Sequence, residues 1–230
     1  MSNQLHIGLN QNYHNYHIPE LARRWIRRED IVPFIDGLKG HPAFEVSTPA
    51  ESVEGREINL IKIGTGSRNI LLWSQMHGDE STATRALFEI FRFFAARDDF
   101  EAKKEKILKE LTLLFIPMLN PDGSEVYKRQ NALDIDLNRD ALRLVAPESR
   151  LLRDVQQTFK PQFGFNLHDQ SSCYNVGGTG KLPMRAFVAM CEAAGFQSVR
   201  TYMASGNAVF TSKKSEAQVK AELEEALLSY

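Results

Sequence analysis

Three side chains in this sequence have the types and the setting for metal chemistry. His77 and Glu80 fall in the segment Ser74-Gln75-Met76-His77-Gly78-Asp79-Glu80, and His168 directly follows the apolar run Phe163 to Leu167. Neutral imidazole and carboxylate both ligate zinc well, and a catalytic zinc takes three protein ligands while one position stays open. His77 and Glu80 are expected in a strand-to-helix turn, where side chains project into the crevice at the carboxyl ends of a parallel sheet. His168, with Asp169 after it, ends a separate expected strand and is placed to supply the third ligand. The same crevice should receive the loop after Thr112 to Met118. That loop holds Asn120-Pro121-Asp122-Gly123, Arg129, and then Asp136-Leu137-Asn138-Arg139-Asp140. Trimming a peptide from its C-terminus requires a fixed cation and hydrogen-bond donors for the terminal carboxylate. The planar guanidinium of Arg139 and the neighbouring amide of Asn138 suit that task. Arg129 could stabilise an oxyanion beside a metal.

Each residue also has an ordinary reading when taken alone. His168 could be a satisfied histidine at the edge of a core, and Arg139 a surface ion pair with Asp136 or Asp140, a kind of contact worth little. Asn120-Pro121-Asp122-Gly123 has the composition of a plain turn. Three motifs in order, each after its own expected strand, are hard to reconcile with three unrelated ordinary roles.

The elements that must position these residues are readable from periodicity. A helical opening is expected around Ile18 to Leu38, then β-rich stretches at Phe44 to Thr48 and Glu57 to Ile63, separated by a turn at Glu54 and Gly55. Asn69 to Ser74 is a short apolar run between polar residues and reads as a buried strand. Ala83, Leu87, Ile90, Phe91 and Phe94 recur at helical spacing within Ser81 to Ala96. Thr112 to Met118 reads as a second buried strand, Glu148 to Thr158 as a helix and Phe163 to Leu167 as a third strand. Alternation of strand and helix argues for an α/β domain with a largely parallel sheet. The last fifty or so residues differ in pattern: a helix over Met184 to Ala194 stopped by Gly195, a hairpin of Val199 to Met203 and Ala208 to Thr211 around Ser205-Gly206-Asn207, and a charged helix from Ser215. Gly177-Gly178-Thr179-Gly180 is the plausible linker ahead of this unit.

Composition narrows the class of partner. Of 230 residues, 43% are hydrophobic and 25% charged, with 28 basic against 29 acidic side chains and a formal net charge of −1. That balance gives no electrostatic reason to expect nucleic acid or an anionic membrane. Apolar runs such as Ile70 to Trp73 and Leu111 to Leu119 are too short to span a membrane. The start of the sequence has no basic region followed by an apolar core, so no secretion signal is expected. Two cysteines, Cys173 and Cys191, make no disulfide framework. A cytoplasmic location is the expectation.

From about residue 10 to 175 the sequence resembles the zinc carboxypeptidase family of the carboxypeptidase A type. The resemblance rests on His77-Gly78-Asp79-Glu80, Asn120-Pro121-Asp122-Gly123, Arg129, Asn138-Arg139 and His168, which follow the family's order. It implies a three-layer α/β/α sandwich around a mixed, largely parallel sheet, one zinc ion, and hydrolysis that removes C-terminal residues from peptides. By that likeness His77, Glu80 and His168 bind zinc, Arg129 faces the scissile carbonyl, and Asn138 with Arg139 holds the substrate carboxylate. The partner is then a peptide, or a peptide-like molecule, with a free carboxylate. The family also uses a downstream glutamate as general base and a substrate-binding tyrosine. Here Glu192, Glu216, Glu222, Glu224 and Glu225 all fall in expected helices, and neither Tyr202 nor Tyr230 has a supporting motif. From about residue 175 the sequence instead resembles part of a small uncharacterised bacterial α/β domain, through Asn175-Val176-Gly177-Gly178 and the stretch Val199 to Phe210. A join is expected near Tyr174 to Gly180, with residues 1–175 as the peptidase-like part, its sheet incomplete on the C-terminal side, and 176–230 as the tail. The alternatives are an acylase-like amidohydrolase of the same zinc superfamily, which need not keep Asn138 and Arg139, and a non-catalytic metal- or peptide-binding fragment.

Overall fold

The computed structural model describes residues 2–169 and, beyond them, 191–192, 195–202, 207–212, 214–215, 217–219 and 221–222. The chain divides into two compact units, Met1–His168 and Asp169–Tyr230. The first unit contains, in order, α1 (Ser2–Gln11), α2 (Arg28–Leu38), β1 (Glu45–Glu51), β2 (Glu57–Ile63), β3 (Arg68–Ser74), α3 (Thr82–Ala95), α4 (Glu101–Glu110), β4 (Leu111–Ile116), α5 (Pro121–Glu125), α6 (Pro147–Phe159) and β5 (Phe163–Leu167). The second contains β6 (Gln197–Tyr202) and β7 (Asn207–Thr211).

The five strands of the first unit form one mixed sheet in the order β1-β2-β4-β3-β5. β4, β3 and β5 run parallel to one another, whereas β1 pairs with β2 and β2 with β4 in antiparallel fashion. Side chains alternate across a strand, and that alternation divides the core in two. Leu113 and Phe115 of β4 join Ile61 and Ile63 of β2 on the face covered by α2 and α3, with Ile31, Ile35, Leu87, Phe88 and Phe91. Leu114 and Ile116 of β4 join Leu71 and Trp73 of β3 on the opposite face, against Leu151, Leu152 and Val155 of α6. Helix, sheet and helix therefore form three layers. β1 carries Pro49, which lacks a donor, and the β1–β2 register shifts between Ser47 and Ala50; a proline is tolerated on such an edge strand.

One local expectation needs correction. The opening is not one helix from Ile18: Pro19–Leu21 form a single 3-10 turn, and the α-helix starts at Arg28. The intervening backbone is used for tertiary bonds instead, since the Ile26 carbonyl accepts from Gln75 and the Arg24 carbonyl from Ser81. Asn120-Pro121-Asp122-Gly123 is more than a plain turn. Asn120 caps α5 by accepting from the Gly123 N–H at 2.8 Å, and proline follows in the first helical turn. Helix α4 was hidden by its composition, EAKKEKILKE, in which Lys104 is the buried residue.

In the second unit, β6 and β7 form a two-stranded antiparallel sheet of their own. Gly195 has φ +83, its N–H donates to the Glu192 carbonyl, and the next N–H donates to the Cys191 carbonyl. This is the glycine stop expected there. The Gly177–Gly180 linker, Cys173, the helix before residue 191 and the Ser205-Gly206 turn lie outside the described residues. Among the described residues no helix is long and apolar enough to cross a membrane.

Candidate functional site

The His77 turn leaves β3 through Gln75, which has a positive φ of 48°, a conformation costly for a side chain other than glycine. The Gln75 side chain offsets that cost with tertiary bonds. Its amide donates to the Ile26 and Gly78 carbonyls at 2.9 and 3.0 Å and its carbonyl accepts from Thr84 at 2.8 Å, all buried. The neighbouring loop after β4 continues the pairing, because Leu119 and Asn120 N–H groups donate to the Ser74 and Gln75 carbonyls. The two loops then touch backbone to backbone. A Cβ on Gly78 would lie 2.0 Å from the Gly123 carbonyl carbon and 2.2 Å from the Ser124 nitrogen. Glycine at position 78 is therefore a packing requirement of the turn.

This scaffold brings His77, Glu80 and His168 together, with one ligating atom of each within 4.8 Å of the others. Glu80 lies between the imidazoles: its Oε1 is 2.8 Å from His77 Nδ1 and its Oε2 is 2.7 Å from His168 Nδ1. The two rings are 4.8 Å apart, centroid to centroid. Burial alone would raise the Glu80 carboxyl, but hydrogen bonds from His168 and His77 outweigh it and hold the group down at about 2. His77 is 1% exposed, and its other nitrogen, Nε2, lies 3.1 Å from Asp136 Oδ1. An outer carboxylate that fixes an imidazole in this way is a recurrent support of metal ligands. Two histidines and a glutamate are a known catalytic-zinc donor set, so the residues present fit the metal.

Asp136 connects the cluster to the rest of the site. Its Oδ2 accepts from Arg129 Nε at 3.1 Å, and its Oδ1 also accepts the Asn138 backbone N–H at 2.9 Å. Burial pushes this carboxyl up, while bonds from His77 and Arg129 bring it below its ordinary value. Arg129 reaches the other side as well, placing Nη1 3.3 Å from Glu80 Oε1. Arg139 is exposed and, among the described residues, its guanidinium pairs with neither Asp136 nor Asp140. The Asp140 carboxylate is occupied by the N–H groups of Val145 and Ala146. The surface ion pair weighed for Arg139 is thus not formed. The Asn138 side chain likewise has no hydrogen-bond partner among the described residues. Sequence reasoning named the Asp136 loop but gave Asp136 no role; its spacing of two residues before Asn138 was the available signal.

The sequence profile described as zinc carboxypeptidase matches residues 31–178, more than half of the chain. The chain belongs to the zinc carboxypeptidase family. Carboxypeptidase 2 of Trichophyton rubrum is 29% identical over 153 residues, covering 62% of this chain and 27% of that protein. Cytosolic carboxypeptidase 6 of Caenorhabditis elegans is 31% identical over 107 residues, covering 43% and 23%. Among solved structures, a metallo-carboxypeptidase from Burkholderia cenocepacia superposes with a TM-score of 0.56 at 22% identity, over 73% of this chain and 50% of its own. The Pseudomonas aeruginosa metallo-carboxypeptidase in complex with (2-guanidinoethylmercapto)succinic acid gives 0.55 at 22% identity, over 78% and 53%. This zinc carboxypeptidase relative spans about a quarter of the length of the curated proteins and about half of the solved chains. Residues 174–230 match a second profile, that of a protein family of unknown function, DUF1697.

Proposed function

We propose that residues 1–175 form a zinc-dependent carboxypeptidase-like catalytic domain that removes C-terminal residues from peptides, and that residues 176–230 are a separate part joined to it. His77, Glu80 and His168 hold the zinc, Arg129 faces the scissile carbonyl, and Asn138 with Arg139 holds the terminal carboxylate. The observation that carries this reading is the pairing of a converged His-Glu-His cluster with a neighbouring Asn-Arg pair whose side chains have no hydrogen-bond partner among the described residues. One carboxylate, Asp136, ties the two together. A cytoplasmic setting belongs to the same reading and is supported by the absence of a disulfide framework in the composition.

The chain's own groups have distinct tasks. Asp136 keeps the His77 ring turned so that Nδ1 faces the cluster. Arg129, held between Glu80 and Asp136, presents guanidinium N–H groups to a carbonyl oxygen as negative charge builds on it. Arg139 offers a bidentate fork to a carboxylate and Asn138 adds an amide donor. Zinc bound at the cluster supplies Lewis-acid polarisation of the carbonyl and acidifies water. The proton-transfer group is unassigned: Glu80 and Asp136 are both tied to imidazoles, and the described Glu222 is paired with Lys214. That observation favours one second reading, a module that binds metal and a peptide carboxylate without turnover.

Elemental analysis of the purified chain and of Glu80→Ala tests the metal, followed by cleavage and binding assays on peptides with free and amidated C-termini. One zinc per chain, lost in the variant, with cleavage abolished by amidation supports the carboxypeptidase. Zinc and carboxylate binding without cleavage supports the second reading. Cleavage indifferent to the terminal carboxylate points to an acylase. Absence of zinc in both proteins refutes all three.

A further inference from the structure

The two edge strands of the five-stranded sheet are built differently. β1 carries Pro49, the charged Glu45 and Glu51, and a register shift between Ser47 and Ala50, all of them devices that keep a sheet edge from pairing with another chain. β5 has none of these: Phe163–Leu167 contains no proline and no charged side chain, and its register with β3 runs unbroken from Phe163 to Leu167. Backbone N–H and C=O groups alternate from side to side along a strand, so every second residue of β5 bonds to β3. The residues between turn to the open side, where among the described residues no strand pairs with them. Phe163, Phe165 and Leu167 share one face, because side chains alternate as well. On that face Phe163 and Phe165 lie beside Ile70 and Leu72 of β3, which pack against the core under α2 and α3, yet Phe163 is 58% exposed and Phe165 47%.

We propose that the β5 edge pairs with β5 of a second copy of this chain, antiparallel, about a two-fold axis that passes at Phe165. This register sets Phe165 opposite its own copy, Phe163 opposite Leu167 of the second copy and Gly164 opposite Asn166. Two independent alternations are matched by it. Residues whose backbone turns to the open side meet residues that do the same, and the apolar face Phe163-Phe165-Leu167 continues unbroken from one copy into the other. A slip by one residue spoils both matches, since it sets Phe163 opposite Asn166 and an outward backbone against one already bonded to β3. Cross-strand aromatic and apolar pairs are the contacts that stabilise such a pairing. Charge does not oppose it: the strand has no ionised side chain to repel its own copy, and the whole chain has a formal net charge of only −1. A two-fold contact of this kind is closed, so it stops at the dimer.

Sedimentation velocity and amide hydrogen exchange on the full chain test the pairing, and neither depends on zinc or on peptide cleavage. Two five-residue strands make a contact of the transient class, below about 1,200 Å², so the chain should sediment as a monomer at about 10 µM and show a growing share of dimer toward about 500 µM. At the lower concentration exchange should be slow at every second amide of Phe163–Leu167, those bonded to β3. At the higher one the alternate amides should slow too, by about twofold once half of the chains are paired. Phe165→Lys sets two ammonium groups together on the axis and should abolish both effects while leaving the melting midpoint at the lower concentration unchanged. Should that variant fail to fold, the exchange pattern of the wild-type chain decides. A chain that is monomeric at both concentrations overturns the proposal and leaves the edge to a strand of some other protein. Self-association without slowing at the alternate β5 amides, or undiminished in a folded Phe165→Lys, puts the contact elsewhere and equally overturns it.

Discussion

Truncating Asp122 should unfasten the loop that supports the His77 turn. The carboxylate is 1% exposed and accepts three hydrogen bonds: Ser52 Oγ at 2.6 Å, the Glu54 N–H at 3.0 Å and Arg56 Nη1 at 2.7 Å. It thereby fastens the turn between β1 and β2 to α5, whose Gly123 lies against Gly78. Breaking a buried charge pair by removing one partner costs about 3–5 kcal/mol. Arg56 is 29% exposed and partly rehydrates, which puts Asp122→Ala at the lower end, about 3 kcal/mol. All three partners are donors, so Asp122→Asn must turn its NH2 toward one of them and should lose nearly as much. Urea unfolding followed by tryptophan fluorescence measures both, and Trp25, bonded to the Ser124 carbonyl of α5, reports from the affected region. The midpoint should fall with an unchanged slope. A loss under about 1 kcal/mol for Asp122→Ala, where a net neutral hydrogen bond is worth about that much, or full stability in Asp122→Asn, refutes the reasoning.

Gly78→Ala sets a Cβ within 2.4 Å of backbone atoms of Gly123 and Ser124, which must move apart; the cost should reach or exceed the top of the about 1–3 kcal/mol range for overpacking. Calorimetry should show a melting midpoint lower by on the order of 6–12 °C, with zinc content reduced in parallel. Burial pushes the Glu148 carboxyl above its ordinary value, and among the described residues its Oε1 has no hydrogen-bond partner while Asn131 donates to Oε2. A raised folded value gives stability that is full below the unfolded pKa of about 4.3 and is lost as pH rises through the folded one. Glu148→Gln should therefore be more stable relative to wild type at pH 7 than at pH 4 by urea titration, and an equal difference at both contradicts the assignment. Asp140 has the opposite sign: despite burial, the Ala146 and Val145 N–H groups hold its carboxyl below the ordinary range. Its contribution is present above the unfolded pKa of about 3.9 and fades as pH falls through the folded value, so Asp140→Asn should flatten the acid limb of the stability profile.

Much of the first unit was legible because its strands obey simple patterns. β2, β3, β4 and β5 fall within one or two residues of their expected spans, since short apolar runs between polar residues leave little choice of partner layer. The opening misled because its apolar residues, Ile18, Leu21 and Ile26, are all buried without being helical as a group. Burial by irregular backbone mimics a helical stripe when tertiary carbonyl bonds such as those from Gln75 and Ser81 stand in for helical ones. α4 escaped for the converse reason: a docked helix shows little apolar periodicity when its buried residue is a lysine whose Nζ is held by the Ala96 carbonyl and Asp98.

The site divides along a similar line. Residue type, order and position after strands singled out His77, Glu80 and His168, which the structure brings together, and Asn138 and Arg139 as the proposed carboxylate clamp. Supporting residues answer to local geometry instead. Gln75 answers to the buried bonds its side chain makes with Ile26, Gly78 and Thr84 and Gly78 to a backbone approach that leaves no room for a Cβ, and neither need is visible until β3 and β4 lie side by side. Asp136 is the sharpest case, because a single carboxylate meets His77, Arg129 and the Asn138 N–H. The proposed metal cluster and the proposed clamp are thus joined through one carboxylate, and a sequence motif that names only the His-Glu-His set and the arginine omits the residue that joins them.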